Sequence, residues 1–181
     1  DIPYGYMVYL INSDIMHIKE MIYLNREAQL GLWEYIYAHD SMIDEVHGNN
    51  YYSEPIAFEL EDSDIKETIR PYAMGRIIDI EQFSCCTHKP TVCFEFVVTD
   101  ELLPWNNGSF RVMFENGKCR ITDEVPQYSM KMTIGTLTTM LMGYKTAEKL
   151  YGMNRISSAP EAVKRLDDTL LHNMPYISDY I

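Results

Sequence analysis

SFRVMFENGKCRITDE, residues 109–124, decides the fold of the second half of the chain. Apolar residues recur at every second position from Phe110 to Phe114, which is typical of a strand with one buried face. Asn116-Gly117 suits a type I′ turn, and Cys119 and Ile121 follow it at the same spacing. The stretch therefore predicts a β-hairpin.

The segments around this hairpin extend the same pattern. Residues 91–100 predict a strand with one well-buried face, and residues 128–134 alternate again. Residues 74–80 predict another buried strand, whereas residues 103–108 are a loop rich in turn formers. Three helical stretches follow, at residues 136–142, 145–153 and 159–171. We therefore predict an α+β unit with a mostly antiparallel sheet and its helices gathered late.

The first half has a different order of elements. Residues 4–11 and 15–24 predict two strands of a hairpin. Residues 26–39 predict a helix, because Asn25 is a good N-cap and apolar residues then recur at helical spacing. Residues 44–47 and 56–60 are short strand candidates. This half is therefore predicted to be a partial α/β unit.

The length and composition are those of an ordinary globular protein with one or two domains. The chain has 181 residues, of which 46% are hydrophobic and 23% charged. Its organisation changes near Arg70-Pro71. We therefore predict one domain over residues 1–73 and a second over residues 74–181.

The net charge of −12 restricts the partners. Fifteen basic residues are scattered without a run, so we expect no nucleic acid partner. An acidic protein can favour cationic ligands such as amines. No apolar run approaches the roughly 20 residues that span a membrane, and no signal peptide is visible, so we expect a cytoplasmic protein and no membrane partner. The sequence is strand-like by Tyr4 without a preceding Met, which we interpret as the sign of a fragment.

The four cysteines raise the question of a metal site. Cys85, Cys86, His88 and Cys93 could be interpreted as a ligand cluster. Structural zinc sites space their cysteines as C-x₂₋₄-C pairs, which adjacent cysteines do not match. We therefore expect reduced thiols, Cys119 included, and no metal.

MIYLNREAQLGLWEYI, residues 21–36, resembles the strand–turn–helix of acyl-CoA N-acetyltransferases of the GNAT superfamily. In that family an Arg/Gln-x-x-Gly-x-Gly/Ala loop and the helix N-terminus hold the cofactor pyrophosphate. The turn at residues 25–31 lacks the glycine pair, and Glu27 would place a negative charge near the phosphates. The resemblance therefore implies a GNAT fold that has lost its cofactor site.

Five further stretches resemble the Eis-like (enhanced intracellular survival) N-acetyltransferases in combination. They are Met74-x-Arg76-Ile77-Ile78-Asp79, Pro104-Trp105-Asn106-Asn107-Gly108, Met132-Thr133-Ile134-Gly135-Thr136-Leu137, Gly143-Tyr144 and Pro175-x-Ile177-x-Asp179-Tyr180-Ile181. The chain departs from the family pattern at Gly75, where Ala is expected, and at Ser84-Cys85-Cys86, where an apolar helix end is more usual.

The resemblance implies a three-part enzyme. Its N-terminal GNAT domain binds the co-substrate acetyl-CoA, its central GNAT domain is degenerate, and its C-terminal domain is similar to sterol carrier protein. This chain would be part of the central domain followed by the third domain, and inactive alone. The implied acceptor is an amine of an aminoglycoside, a polyamine or lysine. The implied assembly is a homo-oligomer, by resemblance a hexamer.

The tail, MPYISDYI at residues 174–181, is apolar and aromatic. By composition it packs against the protein, although its α-carboxylate could instead have a function. The resemblance implies that the carboxylate of Ile181 is the catalytic base and that Tyr180 lies at the substrate pocket.

Two alternatives to the enzyme come from the same residues. The second half could bind a lipid, with Met130, Met132, Met140 and Met142 lining a groove rather than filling the core. The chain could also be a scaffold that only drives oligomerisation. We interpret Trp105 as packing on the sheet and the five histidines as surface or structural residues.

Overall fold

A computed structural model of the chain describes residues 2–50, 56–60, 65–69, 73–83, 87, 91–175 and 177. The chain divides into two compact units, Asp1–Ser63 and Asp64–Ile181. Each unit mixes helices with a β-sheet, which confirms the predicted α+β class. The predicted boundary between residues 73 and 74 stays a prediction.

The first unit is a three-stranded sheet with one long helix. Strands β1 (Gly5–Asn12) and β2 (Ile15–Tyr23) form the predicted antiparallel hairpin. Helix α1 (Arg26–Tyr37) follows, and β3 (Glu45–Gly48) returns parallel to β2. The sheet order is β1-β2-β3, so β1 is an edge strand.

The predicted strand at residues 56–60 is wrong. The structure has a single helical turn there, α2 (Ile56–Glu59), in which the amide of Leu60 donates to the carbonyl oxygen of Ile56 over 3.2 Å. The Glu59 carboxylate accepts hydrogen bonds from side chains of α1. The hydrogen-bonded contacts of the Glu59 side chain are therefore with helix α1 and not with a strand.

The second unit has a five-stranded sheet in the order β6-β5-β4-β7-β8. Its strands are β4 (Val92–Thr99), β5 (Gly108–Glu115), β6 (Lys118–Ile121), β7 (Tyr128–Thr133) and β8 (Ser157–Ser158). All neighbours pair antiparallel except β4 and β7, so the mostly antiparallel sheet is confirmed. Asn116 and Gly117 have φ of 54° and 79°, as a type I′ turn requires, which confirms the hairpin.

The three predicted helices are confirmed with shifted bounds: α3 (Ile134–Leu141), α4 (Ala147–Gly152) and α5 (Pro160–Asp167). Helix α3 begins two residues earlier than predicted because the Thr133 hydroxyl caps it, accepting a bond from the amide of Thr136. The core contains Phe94, Phe96, Phe114, Leu137 and Leu166, together with Met130, Met132 and Met140. These three methionines are therefore core residues, whereas Met142 is partly exposed.

The predicted strand at residues 74–80 is also wrong. Ile77 and Ile80 are buried, but Met74 is 97% exposed and the segment joins no sheet. Its amides bond to side chains instead: that of Ile77 donates to the Thr138 hydroxyl, and that of Ile80 to the Asn106 side chain. The apolar residues of this segment predicted a buried strand; Ile77 and Ile80 are buried, but they have no neighbouring strand.

Candidate functional site

The first candidate site is the N-terminal end of α1, where the GNAT resemblance would place a cofactor phosphate. The Asn25 side chain accepts a 2.8 Å hydrogen bond from the amide of Ala28, as predicted for an N-cap. Glu27 lies exposed in the first turn. The cap already satisfies one of the free amides that would face an anion there.

A carboxylate from α2 also holds the polar side chains of this helix end. Oε2 of Glu59 accepts from Nη1 of Arg26 over 2.9 Å and from Nε2 of the buried Gln29 over 2.8 Å. Arg26 donates to Oε1 of Gln29 over 2.7 Å, and Gln29 donates to the Tyr23 hydroxyl over 3.1 Å. Glu59 thus binds the cation and the amide that a phosphate would otherwise attract.

An aromatic cluster on the first unit was missed by the sequence analysis. The hydroxyls of Tyr9 on β1 and Tyr35 on α1 lie 2.5 Å apart, and the His39 ring packs against both rings. The hydrogen bond from Tyr35 is the main cause that raises the pKa of Tyr9. Tyr9 is therefore protonated at neutral pH and offers no base. Positions 9 and 35 follow no motif that would have predicted their contact.

The second candidate site is the tail. Tyr180 and Ile181, the predicted site residues, lie outside the described residues. The segment leading to them is anchored at Leu170, which is buried and forms an antiparallel bridge with Thr87. Ile177, further along, is exposed. The bridge at Leu170 therefore fixes the segment that leads into the tail.

Gly143 lets the tail pass close to the turn after α3. Its φ is +78°, and a Cβ at this position would lie 2.5 Å from the carbonyl oxygen of Asn173. Two residues on, the Lys145 ammonium lies 4.3 Å from the centre of the Tyr144 ring. At the Gly143-Tyr144 stretch noted in the sequence, the backbone of Asn173, just before the tail, thus contacts the second unit.

A third polar cluster centres on Asp100, at the end of β4. Its side chain is only 1% exposed, and Oδ1 accepts from Nη2 of Arg76 over 2.5 Å. The amides of Leu102 and Leu103 also donate to Oδ1, and Nδ2 of Asn106 donates to Oδ2. Burial opposes ionisation, but these donors outweigh it and hold the pKa of Asp100 well below its ordinary value.

The loop after β4 connects this cluster to the segment at residues 73–83. The indole N–H of Trp105 and Nδ2 of Asn106 both donate to the carbonyl oxygen of Ile78, over 2.9 and 3.0 Å. The Asn107 side chain accepts a hydrogen bond from the amide of Asp100 and donates one to its carbonyl oxygen. Trp105 and the two asparagines thus have structural partners, but Trp105 is 59% exposed and bonds to the segment at residues 73–83 instead of packing on the sheet as predicted.

A cleft of about 290 Å³ lies beside Asp100, and its lining includes Arg76, Glu101, Asn107 and Thr133. The Asp100 carboxylate is already bound by four donors of the protein, so it is not free to act on a ligand. We assign this cluster to the stability of the second unit.

The described residues of the second unit enclose an apolar cavity, lined by Ile77, Ile80, Phe96 and Leu137 among others, that measures about 20 Å³. Ligand pockets typically measure about 300–1,000 Å³. Ile77 and Ile80 belong to the hydrophobic core and line this cavity, so the described residues argue against the lipid-binding alternative.

In the part of the chain that the structure describes, no three His, Cys, Asp or Glu side chains come together as metal ligands. Cys93 is buried, which raises the pKa of its thiol, and Cys119 is half-buried; Cys85, Cys86 and His88 lie outside the described residues. None of the described helices has the length and apolar character to cross a membrane.

Two protein-family models match the chain. Residues 1–77 match an acetyltransferase (GNAT) domain, and residues 80–178 match a sterol carrier protein domain. No curated protein sequence matches the chain.

Solved structures match almost the whole chain. A probable N-acyltransferase from Enterococcus faecalis V583 is 25% identical over 98% of this chain and 46% of its own, with a TM-score of 0.89. A GCN5-related N-acetyltransferase from Anabaena variabilis ATCC 29413 is 21% identical over 100% and 48%, with a TM-score of 0.78. Eis1 from Mycobacterium abscessus is 19% identical over 98% and 49%, with a TM-score of 0.73. The chain therefore spans about half the length of these proteins.

Replacing Asp100 by Asn should destabilise the protein at neutral pH, because the charge-assisted bond to Arg76 is lost. The folded-state pKa of Asp100 lies below its unfolded value, so the stability it contributes is present at neutral pH and is lost as pH falls below about 4. Thermal unfolding of wild type and Asp100→Asn should therefore differ most at neutral pH and converge in acid. Glu101→Gln, at the exposed neighbouring position, is the control. A gap that is constant from pH 7 to pH 2 would contradict the prediction.

Replacing Gly143 by Ala should cost about 1–2 kcal/mol of unfolding free energy, because an L side chain is strained at positive φ. The contact with Asn173 adds to this cost and should displace the tail. Urea unfolding measures the first effect, and proteolysis of the tail measures the second. Gly135→Ala is the control, since Gly135 lies in α3 with no atom within 4 Å of its added Cβ. Equal unfolding midpoints for the two variants would refute the role of Gly143.

Proposed function

Since the chain belongs to the sterol carrier protein domain family over residues 80–178, and matches a GNAT domain before it, we propose that it is the C-terminal half of an Eis-like, acetyl-CoA-dependent N-acetyltransferase. The observation that carries the proposal is the order of these two domains in one chain. It is supported by a fold likeness to Eis1 and to a probable N-acyltransferase over 98% of the chain.

In this proposal the co-substrate acetyl-CoA binds to an N-terminal GNAT domain outside residues 1–181. The support from this chain is local: Glu59 holds Arg26 and Gln29 at the N-terminal end of α1. Displacing Glu59 would leave the buried side-chain amide of Gln29 without this acceptor. An incoming phosphate would have to compensate for the lost hydrogen bond. We infer that this unit shapes the substrate pocket rather than binding the cofactor.

The acceptor in this proposal is an amine, aminoglycoside-like or a polyamine or lysine side chain. The net charge of −12 supports a cationic substrate, because an acidic surface raises the local concentration of cations. We further propose that the intact enzyme is a homo-oligomer, a hexamer by resemblance, and that it works in the cytoplasm.

The proposed base is the α-carboxylate of Ile181, with Tyr180 as part of the pocket wall. An ammonium group must lose a proton before its nitrogen can attack the thioester carbonyl carbon. The carboxylate accepts that proton directly or through water, and the C–N bond forms. The C–S bond then breaks as the nitrogen loses a second proton to the departing sulfur, so coenzyme A leaves as its thiol. An ordinary α-carboxyl has a pKa of about 3.3–3.7, so the carboxylate also serves as a counter-charge.

The anchoring of the tail limits where this base can act. Asn173 contacts the turn at Gly143, and Ile181 is eight residues further along. Eight residues span at most about 29 Å when fully extended. The proposed active site therefore lies within that distance of the α3–α4 turn, and a shift of the anchor would move the carboxylate.

The 181-residue chain alone should not bind acetyl-CoA, because Glu59 binds the Arg26 and Gln29 side chains at the start of α1 and the Asn25 cap accepts from the amide of Ala28. Isothermal calorimetry with acetyl-CoA should show no heat of binding, whereas the full-length protein should bind. Glu59→Gln in the isolated chain is a matched variant that removes the competing charge without changing the shape. Micromolar binding by the wild-type chain would overturn this part of the proposal.

Adding one or two glycines after Ile181 in the full-length protein should lower turnover by about 10²–10⁴-fold, the usual contribution of a general base. The extension leaves every side chain in place and moves only the carboxylate. Turnover is measured as thiol released from acetyl-CoA in the presence of an amine, alongside the thermal midpoint. Ile181→Val, which keeps the carboxylate in position, is the control and should stay active. Turnover within about a factor of three of wild type, with the fold intact, rules out the base.

A further inference from the structure

The chain contains two Asn-Gly pairs, Asn107-Gly108 and Asn116-Gly117. Because glycine has no Cβ, its amide nitrogen can approach the side chain of the asparagine before it and attack the side-chain carbonyl carbon, Cγ. A C–N bond then closes a five-membered succinimide ring, and the side-chain nitrogen leaves as ammonia with the amide proton. Water opens the ring at either carbonyl, which gives aspartate or isoaspartate. The reaction therefore needs only water and a side chain that can reach the next amide.

The fold holds Asn107 away from this reaction. Its Oδ1 accepts a 2.8 Å hydrogen bond from the amide of Asp100, and its Nδ2 donates a 2.7 Å hydrogen bond to the carbonyl oxygen of Asp100. Gly108 is the first residue of β5 and pairs with Val98. Both side-chain hydrogen bonds of Asn107 would have to break before Cγ could meet the next amide nitrogen.

Asn116 has a different environment. It is exposed in the turn between β5 and β6. Among the described residues, no hydrogen bond holds its side chain or the amide of Gly117. Rotation within the turn is then enough to bring the Gly117 nitrogen to Cγ of Asn116.

We propose that Asn116 is a site of spontaneous deamidation in the folded protein, and that its isoaspartate product loosens the contact between Thr87 and Leu170. The reaction consumes water and releases ammonia. This modification goes beyond the proposed function, and both of its effects can be measured without an activity assay.

The turn at Asn116 is connected to the segment that leads into the tail. The carbonyl oxygen of Gly117 accepts a 3.1 Å hydrogen bond from the amide of Thr87, which is buried and forms the antiparallel bridge with Leu170. Isoaspartate routes the main chain through the side-chain carbon and so adds one backbone atom to the turn. Because Glu115 and Lys118 are paired on either side of the turn, the added atom displaces the Gly117 carbonyl. The hydrogen bond to Thr87 weakens, and with it the bridge to Leu170.

The aspartate product has a smaller effect. It adds a charge beside Glu115, whose carboxylate already binds Arg120 over 2.8 Å, but it adds no backbone atom. Asn116→Asp therefore reproduces the charge of the product without the longer main chain, and it separates the two causes.

Peptide mapping of the full-length protein, aged at mildly alkaline pH, tests the modification. Trypsin releases residues 112–118, which contain Asn116, and residues 77–111, which contain Asn107. We expect Asn116 to deamidate at least roughly tenfold faster than Asn107, because the hydrogen bonds of Asn107 must break first. In urea the two rates should converge. Equal rates in the folded protein overturn the proposal, as does an unreactive Asn116 in the folded protein when the urea-unfolded chain reacts.

Hydrogen exchange of the aged full-length protein tests the link to Leu170. The peptide that contains Leu170 should exchange about tenfold faster in the isoaspartate form than in fresh protein, because a hydrogen bond that supports the bridge is lost. Asn116→Gly is the matched control, since glycine accepts the φ of 54° and has no side-chain amide, and its exchange should not change on ageing. Freshly prepared Asn116→Asp should exchange like fresh wild type. Equal exchange in aged wild type and aged Asn116→Gly overturns the link, and so does faster exchange in Asn116→Asp, which would assign the effect to charge.

Discussion

The buried carboxylate of Asp100 is the constraint on which the second unit depends. It lies at the end of the central strand, and it is stabilised only as long as Arg76, Asn106 and two backbone amides donate to it. Those donors come from the segment before the sheet and from the loop after β4. A single buried charge thus fixes two irregular segments that no strand ladder holds.

The sequence predicted the regular elements well, because each carried a local signal. The alternation and Asn116-Gly117 specified the β5–β6 hairpin, and Asn25 specified the start of α1. Two strands were predicted wrongly, at residues 56–60 and 74–80. Nothing in the local sequence there indicates which residues these segments contact. Ile77, for example, bonds to Thr138, 61 residues away, and composition gives no indication of such a pair.

For the candidate site at α1, the sequence predicted only which features are missing. Residues 25–31 showed that the glycine pair is missing, but not that Glu59 would bind the first turn of α1 from 30 or more residues away. The Tyr9–Tyr35 contact was not predictable for the same reason. The roles proposed for Ile181 and Tyr180 rest on the resemblance, because each role depends on a pocket to which other parts of the polypeptide would contribute.

The side-chain anchoring of residues 76–80 also has a kinetic consequence. The side chains of Asn106 and Thr138 can form their hydrogen bonds with this segment only after the loop beyond β4 and helix α3 have formed. Contacts that bridge such long sequence separations form late, because the chain must first lose the entropy of closing the loop. We therefore infer that these contacts are absent from the folding transition state, so weakening them would accelerate unfolding while the folding rate stays almost the same.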